Sequence, residues 1–196
     1  MVYMLRSSSA DQDCIVIEPK FLPDEAFQFL VRGLPVPPSL VPARLRIAAN
    51  ASVPHLLDWK RQWLISKDAR ELLETLVPGA IDYVPVIITP SGASREVSGY
   101  SFVNIAQRDR LIDYQKSVCD QDRAIMTGGR TVTSVSILSV GIVFHPHPKY
   151  YIWHEESYFV GDDYFSATES QVFLSDQLWE EIECAFPGEL SPSKLR

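Results

Sequence analysis

The sequence is short of the features that mark a secreted, membrane-bound or metal-built protein. It holds only three cysteines, Cys14, Cys119 and Cys184, widely separated and with no CxxC pair. An odd and scattered set excludes a disulfide framework and a cysteine zinc site, and fits reduced thiols. Long hydrophobic runs are missing too. The most apolar stretch, 132–144, is interrupted by Thr133, Ser134, Ser136, Ser139 and Gly141 and is too short to cross a bilayer. Met1-Val2-Tyr3-Met4-Leu5-Arg6 turns polar too early for a signal peptide. The expectation is a cytoplasmic protein that neither spans nor rides a membrane.

Basic residues are scarce in the second half. The net charge is −7, and residues 150–193 contain ten Asp and Glu but no Lys or Arg. Such a stretch repels a phosphate backbone, so no nucleic-acid partner is expected. Two readings of it stay open: solvated faces that aid solubility, or a surface that steers a basic protein partner. Hydrophobic residues make up 46% and charged residues 22% of the 196 residues, enough for a real core. One domain over 1–196 is expected, with a lobe of residues 1–55 packed on a main lobe of 56–190 as the alternative division.

The pattern predicts an α+β fold, a mostly antiparallel sheet with a few packed helices. Strands are expected at 2–5, 15–17, 63–65, 83–88, 100–105, 131–144 and within 150–160. The apolar phase of 131–144 shifts between Ile137 and Leu138, which predicts a bulge or break. Residues 34–42, with four prolines, read as an irregular arm. Short helices are expected after Pro23, after Ser66 and after Ser175, where a serine hydroxyl can accept a free amide and an acid follows in the first turn. The last two helices sit in similar surroundings. In each, an apolar pair is followed by serine, two polar residues, an apolar residue and then glutamates, and each ends at Pro-Gly (Leu64 to Gly79 and Phe173 to Gly188). An internal duplication would account for this.

Catalytic signatures are sparse. GxSxG, HExxH and GxxxxGK[ST] are absent. Three of the four histidines, His145, His147 and His154, fall within ten residues. Two imidazoles at i and i+2 of a strand share a face, so a metal-dependent hydrolase built on them is the alternative function. Pro146 and Pro148 instead favour a turn there. No cofactor is expected. The stretch 150–165 interleaves aromatics with acids. Tyr151, Trp153, Glu155, Glu156, Tyr158, Asp162, Asp163 and Tyr164 are the interface candidates, since Tyr and Trp combine contact area with a polar tip. Alternate aromatics filling the core is the competing reading.

Three segments in order, WLISKDARELLETLVPGAIDYVPVII, YSFVNIAQRDRLIDYQKS and VFLSDQLWEEIECAFPG, resemble bacterial polymorphic-toxin immunity proteins, in a family formerly catalogued as a domain of unknown function. The matching elements are the Ser66 helix, Tyr100 to Asn104, Asp113 to Ser117, and Phe173 to Leu178. The resemblance covers roughly residues 60–190. It implies a non-enzymatic protein that binds a cognate toxin with a basic surface and occludes its active site, in the setting of interbacterial competition.

Overall fold

The computed structural model describes residues 2–4, 14–19, 22–31, 34–49, 53–59, 62–91, 96–125, 131–137, 141–145, 151–156, 158–160, 163–166, 172–190 and 193–195. In chain order the strands are β1 (Val2–Met4), β2 (Cys14–Glu18), β3 (Arg44–Ala49), β4 (Leu56–Trp59), β5 (Gln62–Ile65), β6 (Ile81–Pro90), β7 (Val97–Ile105), β8 (Arg108–Asp109), β9 (Cys119–Ile125), β10 (Thr131–Ile137), β11 (Ile152–Glu155), β12 (Tyr158–Val160), β13 (Asp163–Ser166), β14 (Val172–Ser175) and β15 (Ser193–Leu195). The helices are α1 (Asp24–Val31), α2 (Lys67–Leu76) and α3 (Asp176–Ala185). The fold is α+β and dominated by strands, as the pattern predicts.

Three sheets form among the described residues. A six-stranded sheet runs β2-β3-β6-β7-β5-β4, a five-stranded one β15-β1-β14-β11-β8, and a four-stranded one β12-β13-β10-β9. Most neighbours are antiparallel; each sheet also holds one parallel pair, β3 with β6, β8 with β11, and β10 with β13. β10 is described as far as Ile137; Leu138, where the phase shift predicts a bulge or break, lies outside the described residues. The proline-rich 34–42 region contains a single 3-10 turn, Pro38–Leu40. Among the described residues no helix is long and apolar enough to cross a membrane.

The core explains the strand sequences. Residues Tyr100 to Ile105 of β7 are all buried, because the strand is covered on both faces. Tyr100 and Phe102 enter one cluster with Leu45, Ile47, Leu64 and Ile88. Val103 and Ile105 enter a second, with residues of α2, α3, β11 and β14. That second cluster joins the six-stranded and five-stranded sheets.

The two serine-led helices belong to a duplicated unit larger than the sequence shows. Ser66 and Ser175 accept the amides of Ala69 and Leu178, each at 3.2 Å. Both helices end in nearly the same backbone shape, at Val77 (φ −135°, ψ 60°) and Phe186 (φ −134°, ψ 67°). Gly79 (φ +73°) and Gly188 (φ +74°) then take the left-handed turn that glycine allows. The strands follow the same register. Phe102 of β7 sits between Leu64 of β5 and Val84 of β6. Met4 of β1 sits between Phe173 of β14 and Ser193 of β15. The amide of Ser66 donates to His55 just before β4, and that of Ser175 to Tyr151 just before β11, both at 2.8 Å. Thus β4-β5-β7-β6 with α2 matches β11-β14-β1-β15 with α3. The offset from β5 to β6 and from β14 to β15 is constant, with no residue gained or lost. The N-terminal strand β1 supplies the member of the second unit that matches β7, so chain order hides the match.

Candidate functional site

The segment expected to form an interface is split by its strands. β11 lies inside the five-stranded sheet and all four of its residues are buried. Trp153 fills the third core cluster against Phe173, with ring centroids 5.7 Å apart. Glu155 is only 3% exposed. Neither side chain reaches the surface, because β11 has covered faces on both sides. Tyr151 and Glu156, at the two ends of that strand, are exposed. Glu156 pairs with Arg110 at 3.0 Å. Tyr158, Asp163 and Tyr164 lie on β12 and β13, which pair antiparallel; Asp162 lies outside the described residues.

Glu155 holds the chain that runs past β8. Its Oε1 accepts the amide of Ile112 at 2.8 Å, while Oε2 is buried without a hydrogen-bond partner. Burial pushes its carboxyl up to about 7; amides of Ile112 and Leu111 and the Trp153 indole oppose that, and Asp109 adds to it. On the neighbouring strand Arg108 is half-buried. Burial brings its guanidinium down to about 10, against the opposing pull of Glu156. Its Nη1 donates to the carbonyls of Ile105 and Gln107. This cluster braces the β8–β11 edge.

The histidines are not brought together as a site among the described residues. His154 is buried in β11, opposite Arg108 and Val172. His145 is exposed, and its amide donates to the carbonyl of Leu111 at 2.6 Å. His147 lies outside the described residues. Among the described residues no group of three or more His, Cys, Asp and Glu is placed to hold a metal ion.

The surface feature that the sequence reading passed over is the pair of helices. On α2 both cations are met by glutamates: Lys67 pairs with Glu71 at 3.4 Å and Arg70 with Glu74 at 2.7 Å, both one turn apart. The matching positions on α3 are Asp176, Trp179, Glu180 and Glu183. Both cations are gone and both glutamates remain. Glu180 and Glu181 are exposed and make no ion pair among the described residues. Tyr151, 47% exposed, stands beside this helix and with Leu76, Gln177, Leu178 and Glu181 lines a cavity of about 90 Å³. The signal was available in the two matched segments, read position by position for charge rather than for apolar spacing.

The two units also meet at their helix ends. His55, at the entry of β4, stacks on Phe186 at the end of α3, with centroids 4.7 Å apart. Its counterpart Tyr151, at the entry of β11, borders Leu76 at the end of α2. The amide of Leu56 donates to Glu189 at 2.7 Å. Tyr151 is fixed through its backbone, whose carbonyl accepts the Ser175 amide, while its ring stays exposed.

Comparison with known proteins gives one family. The sequence model of an immunity protein family, Imm11, matches residues 6–185. No curated protein matches the chain.

Proposed function

This chain belongs to the immunity protein family Imm11, and from that premise we propose that it binds a cognate bacterial toxin, covers its active site and so neutralises it. The mechanism is occupancy. It needs no cofactor and no bond-making step in the immunity protein. The toxin belongs to a polymorphic system used in interbacterial competition, and the complex forms in the cytoplasm.

The observation that carries the choice of surface is the pair Glu180 and Glu181 on α3, exposed and in no ion pair among the described residues, beside exposed Tyr151. Exposed carboxylates without cations favour a basic partner, raise the encounter rate and fix orientation. An exposed tyrosine whose backbone is fixed offers apolar area at small entropic cost. Glu156, Tyr158, Asp162, Asp163 and Tyr164 extend the proposed contact; Trp153 and Glu155 act behind it, holding β11 in place. The same negative field disfavours a nucleic-acid partner. A single immunity-type domain spanning the whole chain is proposed, since one apolar cluster is shared by two of its sheets.

The test is co-expression with the toxin domain encoded beside it, scored by growth and by recovery of a complex. Rescue with a stoichiometric complex is expected. Toxicity that persists while both proteins are soluble would refute the pairing.

A further inference from the structure

A groove of about 600 Å³ opens between α2 and the sheet strands β6 and β7. Lys67, Arg70 and Glu74 form its helical wall, and Pro85, Ile87 and Ser101 lie along the sheet side. The lining is more apolar than polar, and its size lies in the range of side-chain and ligand pockets. The duplicated unit provides an internal comparison for this place. In the second unit the position of Arg70 is Trp179, and the position of Ser101 is Tyr3. Those two rings pack together with centroids 5.4 Å apart. Where the second unit is filled by its own aromatic pair, the first carries a short hydroxyl and a guanidinium.

The guanidinium does not fill the gap. Arg70 is drawn along the helix to Glu74 at 2.7 Å, and its Cζ lies 4.9 Å over the ring of Tyr83. Burial pushes the Tyr83 hydroxyl up to about 12, with Glu74 adding and Arg70 opposing, so the ring under Arg70 stays neutral. The groove floor is kept low by Gly99, which takes a φ of +91° and brings no side chain. The fold therefore has a seat that its own second copy shows to fit an indole or phenol ring.

We propose that this groove receives an aromatic side chain, tryptophan or tyrosine, presented by the protein partner. The proposal rests on the immunity reading for the partner's identity, and on the two units alone for its chemistry. A ring seated there packs on Pro85 and Ile87 and meets the Arg70 guanidinium, which favours aromatic faces over aliphatic side chains. Buried aromatic anchors of this kind dominate protein interfaces.

The experiment has two arms. In the first, N-acetyl-tryptophanamide is titrated into the isolated chain and followed by amide chemical shifts, with N-acetyl-alaninamide as control. Shifts confined to Ile87, Gly99, Ser101 and the first turn of α2 are expected for the indole probe, and their absence overturns the proposal. In the second arm the chain's own filling is transplanted by combining Arg70→Trp with Ser101→Tyr; Ser101→Tyr alone serves if the pair perturbs folding. A plugged but folded protein is expected to lose the probe shifts and to bind the toxin at least about tenfold more weakly. Unchanged toxin affinity in the folded variant overturns the proposal. A dimer of the chain that the same substitutions dissolve also overturns it, by giving the groove to a second copy. Wild-type protein that binds no toxin refutes the immunity reading instead, and the indole titration then decides the groove by itself.

Discussion

Ser66 and Ser175 occupy one and the same place in two copies of a unit: each hydroxyl accepts the amide three residues ahead at 3.2 Å, and each backbone amide donates at 2.8 Å to the residue that opens the neighbouring strand. Their hydroxyls differ in their further contacts. The Ser66 hydroxyl also lies 2.8 Å from Nδ1 of His55, the ring that stacks on Phe186. Ser175→Ala is expected to destabilise the protein by about 1 kcal/mol, the usual worth of a helix N-cap. Ser66→Ala is expected to cost more, since it also removes the hydroxyl that meets the His55 ring. Thermal unfolding of the two variants checks the order; equal losses would show that the His55 contact contributes nothing.

The carboxyl of Glu155 makes stability depend on pH in an unusual direction. In the folded protein it is pushed up to about 7, whereas an unfolded glutamate titrates near about 4.3. Between those values the folded chain keeps a proton that the unfolded chain has released. Its contribution is therefore fully present below the unfolded value and lost as pH rises through 7. Glu155→Gln keeps an acceptor for the Ile112 amide and removes the charge. The variant is expected to be more stable than wild type at pH 8 by about 1–3 kcal/mol, and to match it only near pH 4, below the unfolded value. Denaturant midpoints across pH 4–8 read this directly. A variant less stable at pH 8 would mean that the carboxylate is held by charges, not strained by burial.

The α3 surface makes a prediction about rates. Glu180 and Glu181 are exposed and carry no ion pair among the described residues. Reversing both to lysine should leave the thermal midpoint nearly unchanged. Association with a basic toxin should slow by about tenfold at low salt, with the difference shrinking as salt rises. The same reversal of Glu71 and Glu74, whose charges are already met by Lys67 and Arg70, is expected to act less on association and more on stability. Stopped-flow association at two ionic strengths separates the two.

Much of this architecture was legible in the sequence, and the reasons for the gaps are physical. The serine caps, the Pro-Gly stops and the apolar spacing of α2 and α3 are local signals and could be read directly. β9 was hidden because Cys119-Asp120-Gln121-Asp122-Arg123 is polar and reads as a loop; its register comes from β10. β15 was hidden because three residues carry no period, and it exists through pairing with β1. The aromatic and acidic stretch 150–165 could not be divided by sequence, since burial of Trp153 and Glu155 depends on which strands flank β11. The contrast between Lys67 and Asp176, or Arg70 and Trp179, becomes visible only when the two units are placed in register.

Asn104 accounts for one residue of the resemblance in structural terms. It is 4% exposed. Its Oδ1 accepts the amide of buried Val36 at 3.0 Å and its Nδ2 donates to the carbonyl of the same residue at 2.7 Å. Val36 lies between Pro35 and Pro37, where the chain cannot enter a regular ladder. One side-chain amide thus supplies the donor and acceptor that a neighbouring strand would have provided. Asn104→Leu leaves both groups of Val36 buried and unpaired and should destabilise by about 2–4 kcal/mol. Asn104→Asp should cost as much at pH 8, where the carboxylate faces a carbonyl. It should recover in acid, where a protonated carboxyl can donate to that carbonyl and accept from the amide at once. Denaturant midpoints for the two variants at pH 8 and pH 5 decide the matter. Recovery of Asn104→Asp alone is expected. Equal behaviour of both variants at both pH values would show that Asn104 acts through packing, with no role for its paired hydrogen bonds.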